Sequence, residues 1–227
     1  MEIGKAFTFV TEDDSWIKKL AIGAVFVLIP FLILLLIGYQ ILIIRNVIDG
    51  KDNALPEWDE FGQLFIDGLI MVVTVFVYAL PMILLIICSA AVGAATSDSS
   101  GMSGGAIVGV SLLSCLAVLL GIALAFITPA LYIQYARTGE FGSMFQFSEV
   151  IAVTRENLVD ILIVILVSMV ANVAVSLVST IAVITICGPI IVSLAGTAWV
   201  MFATGHLYGQ IGRKMSNKAL EPEYSPA

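Results

Sequence analysis

The chain has 227 residues, 60% of them hydrophobic and only 12% charged, with a mean hydropathy of +1.08. A soluble domain is about 25% charged and 45–50% apolar, so a water-soluble enzyme or nucleic-acid binder is excluded and the solvent is a bilayer. With 10 Lys and Arg against 17 Asp and Glu, net −7, the composition offers no basic surface able to hold nucleic acid or anionic lipid by charge alone.

The N-terminal arm carries Lys5, then Glu12, Asp13 and Asp14, then Lys18 and Lys19. This acidic start, followed by a long apolar run without a small-residue cleavage signal, does not read as a cleaved signal peptide. A crossing needs about 20 apolar residues. Five runs qualify: Leu20–Ile44, Leu69–Ala95, Gly105–Tyr135, Leu158–Ile186 and Ile190–Ile211. In the first, Pro30 sits at the middle, where it removes a helix hydrogen bond. The connecting loops 96–104 and 187–189 hold no Lys or Arg. If the first run crosses fully, basic residues divide at best seven to three between the two sides; if it re-enters at Pro30, they divide ten to none. The positive-inside rule favours the second arrangement, with both termini cytoplasmic.

An internal repeat agrees with that reading. Tyr132-Ile-Gln134-Tyr-Ala-Arg137 and Tyr208-Gly-Gln210-Ile-Gly-Arg213 close the third and fifth runs, and Tyr39-Gln40 with Arg45 close the first. Phe61-Gly62-x-x-Phe65 and Phe141-Gly142-x-x-Phe145 match as entrances. Tyr and Arg also recur at membrane interfaces without any repeat. The expected fold is an all-α integral membrane protein. It is a single membrane domain over 1–227 in the cell membrane, with four long transmembrane helices, a Pro-broken re-entrant N-terminal segment and interfacial amphipathic helices. Its parts are the arm and broken hairpin (1–45), an acidic interfacial segment (46–68), two further hairpins (69–137 and 138–213) and a tail (214–227).

Two stretches are candidates for function. Residues 45–68 hold six acids, Asp49, Asp52, Glu57, Asp59, Glu60 and Asp67, against Arg45 and Lys51. Pro56 suits the first turn of a helix that would place Trp58, Phe61, Leu64 and Phe65 on one lipid-facing side. Its acidic face is either a docking surface for a basic partner or cation, or an ordinary solvated face. EF-hand spacing is absent, so calcium is not indicated. In the fourth run Ser168, Asn172, Ser176 and Thr180 recur every four residues, with Ser179 beside them. They form one polar stripe, either a helix–helix seam or the lining of a path; Ser193, Thr197 and Thr204 make a weaker line on the last helix. Gly101, Gly105 and Gly109 form overlapping small-residue motifs of modest weight.

Absences narrow the chemistry. No charged residue falls in the central part of a long run; Asp160 and the lone His206 lie near helix ends. Charges there would mark pumps and proton-coupled transport. Cys88, Cys115 and Cys187 show no disulfide or zinc spacing, so no metal, cofactor or catalytic set is expected. The leading expectation is a non-enzymatic accessory, scaffold or assembly subunit, its partners being the bilayer and other membrane subunits or itself. The alternative is a passive transporter, channel or lipid-handling protein using the polar stripe.

Met1-Glu-Ile-Gly-Lys-Ala-Phe-Thr-Phe-Val, Glu12-Asp13-x-x-Trp16-Ile-Lys18-Lys19, Leu28-Ile-Pro30, Gly38-Tyr39, Arg45-Asn-Val-Ile-Asp-Gly50 and Leu55-Pro-Glu-Trp-Asp59-x-Phe61-Gly62 follow one another in that order. This set resembles a family of uncharacterised prokaryotic multi-spanning membrane proteins, domain of unknown function 4013. The resemblance implies a bacterial or archaeal origin and an integral membrane fold, and it transfers no residue role.

Overall fold

In hydrocarbon every backbone N–H and C=O must find its partner within the protein, and a continuous apolar run meets that demand as a helix. The computed structural model of the chain describes residues 1–98, 101–185 and 187–220. It contains α1 (Ile3–Glu12), α2 (Trp16–Leu28), α3 (Ile33–Ile48), α4 (Phe61–Thr96), α5 (Gly104–Thr138), α6 (Phe147–Glu156), α7 (Leu158–Ile181) and α8 (Gly188–Leu220). Single 3₁₀ turns at Phe141–Phe145 and Ala182–Ile184 precede α6 and follow α7. Four helices, α4, α5, α7 with its 3₁₀ extension, and α8, are long and apolar enough to cross a membrane.

The first apolar run breaks at Pro30 as expected. The chain leaves α2 at Ile29 in an extended conformation and restarts as α3 at Ile33. With 13 and 16 residues, the two helices reach only about 20 and 24 Å at 1.5 Å per residue, short of a hydrocarbon core of about 30 Å. They pack against each other, with Gly23 of α2 beside Leu36 of α3. The first run is therefore a hairpin of two short helices.

The chain divides into two units. The larger comprises Met1–Val72 and Pro129–Ala227. At its centre stands α8, which contacts α1, α2, α3 and α7. Gly205, Gly209 and Gly212 bring α8 onto α3, where any side chain would meet Gln40, Val47 or Ile48. The core gathers Phe9 and Val10 from α1, Leu36, Tyr39 and Ile43 from α3, Leu55, Leu64 and Phe202. Between α3 and α4 the backbones touch: a Cβ on Gly38 would overlap the Leu64 carbonyl, and one on Gly68 the Leu34 carbonyl. The contact is reciprocal, each glycine meeting the carbonyl four residues before the other.

The smaller unit, Val73–Thr128, is a helical hairpin built from the outer parts of α4 and α5. Ser89 and Ser114 share a hydrogen bond of 3.1 Å across it, and Gly121 leaves room for Met82. A two-residue antiparallel ribbon closes its end, pairing Ser97 with Met102 and Asp98 with Gly101. Gly101 adopts φ +98° in that ribbon, and Gly105 and Gly109 face open space. Among the described residues, nothing packs on Gly101, Gly105 or Gly109.

Amphipathic α1 and α6 bury Ala6, Phe9 and Val10, and Val150, Val153 and Thr154 respectively. A helix starting at Pro56 does not form: residues 51–60 are irregular and α4 begins at Phe61. The carbonyls that would start such a helix serve tertiary bonds instead, Leu55 O accepting from Lys19 and Pro56 O from Tyr39. The repeat is uneven too. Its Tyr-Gln-Arg exits all lie towards the ends of α3, α5 and α8, and the Tyr132 and Tyr208 rings sit 5.8 Å apart. The entrances differ, because Phe61 opens a long helix whereas Phe141 opens one 3₁₀ turn.

Candidate functional site

Three polar clusters organise the larger unit. The first is centred on Lys19, whose ammonium is 1% exposed. Its Nζ donates to Asp13 Oδ2 at 2.7 Å and to Leu55 O at 3.1 Å, and pairs with Glu57 Oε1 at 2.7 Å. An ammonium has three N–H bonds, so its capacity is spent. Asp13 also accepts from Asn53 at 2.7 Å and from the Ser15 amide and hydroxyl. Burial raises the Asp13 pKa, but these bonds outweigh it and hold the carboxyl well below its ordinary value. Burial lowers Lys19, while its bonds to Asp13 and Glu57 raise it further, so the ammonium stays charged. Above this clasp Trp58 stacks on Tyr39 with centroids 3.8 Å apart, meets Phe26 edge-on, and donates from Nε1 to Lys19 O at 3.1 Å. The loop is thus bolted to α2 and α3 by Trp58, which does not face lipid.

In the second cluster Asp67, 1% exposed, accepts from Arg45 at 2.6 Å, Tyr135 OH at 2.6 Å and Gln63 at 3.0 Å. The Arg45 guanidinium lies 5.3 Å from the Tyr135 ring centroid. This joins α3, α4 and α5 by a saturated carboxylate. In the third, Gln40 donates to Thr204 at 2.9 Å between α3 and α8. His206 Nδ1 lies 3.1 Å from Gln210 Nε2, and the Gln210 amide exchanges two hydrogen bonds with the Glu2 backbone. The N-terminal arm therefore sits against the end of α8, which puts both on the same side.

Of the predicted acidic surface, Asp49, Asp52, Asp59 and Glu60 are exposed, Glu57 is exposed but engaged with Lys19, and Trp58 is half-buried. Asp67 leaves that surface for the core. The polar stripe of α7 is also placed plainly. Ser168 is half-buried, and Asn172, Ser176 and Thr180 are exposed. Each bonds its own helix: Ser168 to Ile165 O, Asn172 to Ser168 O, Ser176 to Asn172 O and Thr180 to Ser176 O. The α7–α8 bond is made by their neighbour Ser179, 2.6 Å from Ser193, near the place where Gly196 accepts Val175.

Sequence reasoning counted Lys19 only as a basic arm residue and missed the Asp13–Lys19–Asn53–Glu57 and Arg45–Asp67–Tyr135 clusters. A lysine opening an apolar run with an acid six residues earlier is a signal for the first; Tyr135 of the second lies too far along the chain to be seen.

Four apolar spans, a broken short-helix hairpin and ion pairs gathered away from the span centres define an all-α, multi-spanning membrane protein. The chain belongs to the family described as protein of unknown function (DUF4013), which matches residues 22–187. The matched residues run from within α2 to the turn before α8, so the arm with Asp13, Lys19 and the whole of α8 lie outside them. No curated protein and no solved structure matches the chain.

Proposed function

We propose that the chain is a non-enzymatic subunit that packs against another membrane protein through the outward polar face of α7. The observation that carries this is Asn172, at the centre of the Leu158–Ile184 span and exposed. Its carboxamide has two N–H donors and an acceptor oxygen. Only one bond from it, to Ser168 O, is formed among the described residues. Leaving the rest against hydrocarbon is costly, and polar bonds between transmembrane helices recover about 0.6 kcal/mol each. Ser176 and Thr180 flank it and present the same face. The saturated hydrogen bonding of Lys19 and Asp67 supports a structural rather than catalytic use of these groups. All ten Lys and Arg lie outside Val73–Thr128, and that distribution supports a cell-membrane topology with both termini cytoplasmic.

Native mass spectrometry after extraction in mild detergent tests the reading. The expected result is a complex that dissociates in an Asn172→Leu, Ser176→Leu variant while the monomer keeps its helicity and melting temperature. A lone monomer, or a complex indifferent to both substitutions, refutes it.

A further inference from the structure

The composition argues against anionic-lipid binding by bulk charge, yet the charges are unevenly placed. Lys5 of α1 and Arg213, Lys214 and Lys218 of α8 line a cleft of about 720 Å³ with Glu2 and Asp160. Lys214 pairs with Asp160 at 2.8 Å, and Lys218 lies 4.0 Å from Glu156. Lys5 and Arg213 have no ion-pair partner among the described residues. Counted over its lining side chains, the cleft holds four cations and two acids, in a chain of net −7.

The same helices continue from this cleft into an apolar groove. Two residues before Lys5, Ile3 lines a cavity of about 370 Å³ with Phe7, Leu166 and Val170. Phe7, Ala171 and Ala174 are shared with the next cavity, about 440 Å³, which reaches Leu20, Val178 and Trp199. Alanines and Gly196 along this stretch keep the walls low. From Leu166 to Val178 the groove runs about 18 Å along α7 at 1.5 Å per residue. One leaflet of hydrocarbon is about 15 Å, half of a core of about 30 Å. A cationic mouth at the charged end of the helices and an apolar trough one leaflet long are the two halves of a phospholipid's chemistry.

We infer that this groove holds one acyl chain of a phospholipid with an anionic headgroup, its phosphate set among Lys5, Arg213 and Lys214. The lipid fills the space between α1 and α7 and ties the amphipathic arm to the spans. The residues involved are distinct from the Asn172 face, and occupancy here does not require a protein partner there.

The full-length protein in detergent with equimolar phosphatidylglycerol and phosphatidylcholine, observed by native mass spectrometry, tests the site. One phosphatidylglycerol adduct is expected to survive collision energies that strip phosphatidylcholine. Lys5→Gln, at an exposed position, lowers that preference about fivefold, the factor equivalent to roughly 1 kcal/mol per basic residue at an anionic surface. Ala174→Phe, which fills the trough, removes the retained adduct whatever its headgroup. Lys18→Gln, which does not line the cleft, leaves it unchanged. Brominated phosphatidylglycerol in phosphatidylcholine vesicles gives a second readout, because Trp199 lines the groove and its fluorescence is quenched at a lower mole fraction than with brominated phosphatidylcholine. Equal retention and equal quenching by the two lipids would mean an ordinary lipid annulus and overturn the site. So would a Lys18→Gln loss as large as that of Lys5→Gln, or a second copy of the chain that excludes lipid from the groove.

Discussion

Gly38 and Gly68 allow a decisive test of how α3 and α4 meet. A Cβ on Gly38 would stand 2.6 Å from the Leu64 carbonyl carbon and 2.8 Å from its Cα, and one on Gly68 2.7 Å from the Leu34 carbonyl carbon. Ordinary contact begins near 3.4 Å and the Leu64 carbonyl oxygen is nearer than either of these carbons, so Gly38→Ala forces the backbones at least about 0.8 Å apart. A gap of that size forfeits a quarter to a half of each van der Waals well across the contact. Because the obstacle is backbone, no rotamer change relieves it, and the cost lies near the upper end of about 1–3 kcal/mol for overpacking. Alanine returns about 1 kcal/mol of helix propensity, leaving a net loss of about 2 kcal/mol. Gly62 in the first turn of α4 is the control: nothing lies within 4 Å of its Cβ position, so Gly62→Ala keeps the propensity gain alone. The double variant Gly38→Ala, Gly68→Ala loses less than the sum, since one separation accommodates both methyls. Unfolding by SDS titration in mild detergent, followed through tryptophan fluorescence, reads the native chain, the three single variants and the double variant. A Gly38→Ala midpoint equal to or above that of Gly62→Ala refutes the backbone contact.

Two further outcomes follow from the buried charges. Asp13 ordinarily titrates at 3.8 and is held lower in the fold, so the unfolded chain takes up its proton first. Its stabilisation is complete above that value and is lost as pH falls below it; unfolding midpoints between about pH 2 and 5 should drop more steeply in the native chain than in Asp13→Asn. Lys19 is raised above 10.5, so its contribution persists up to that pH and fades only as pH climbs further. Asp67→Asn leaves Arg45 without its carboxylate and should cost about 3–5 kcal/mol in the same SDS titration, whereas Tyr135→Phe removes one bond to a charged group and costs about 1.5–3 kcal/mol. Equal losses from the two substitutions would show that Asp67 is not the centre of the cluster.

What could be read along the chain was what depends on near neighbours. The long spans follow from uninterrupted apolar residues, and the break after α2 from Pro30, which acts on its own turn of helix. The apolar run begins only at Leu69, whereas α4 begins at Phe61, because Arg45 and Tyr135 reach Asp67 from elsewhere in the chain and let the helix carry a buried carboxylate. The absence of a helix from Pro56 has the same origin. Spacing alone puts Trp58 on a lipid-facing helix, but Tyr39 offers a flat ring and Lys19 a carbonyl, and these contacts outweigh a short helix with few bonds of its own. On α7 the period of the polar stripe was legible while its direction was not. The helix turns Val164, Ala171 and Val175 inward, and the rotation that leaves Asn172 outside depends on how Gly196 fits Val175.

The central place of α8 also bears on how the protein is made. Gln40 meets Thr204 across 164 residues of sequence. At roughly 5–20 residues per second of synthesis, the N-terminal helices wait about 8–33 s for the helix that completes their unit. During that interval the apolar sides of α1 and α2 have no α8 to cover them, and the membrane surface or an insertion factor must hold them. Nascent chains stalled before residue 188 should therefore stay bound to the membrane while their N-terminal arm remains open to protease.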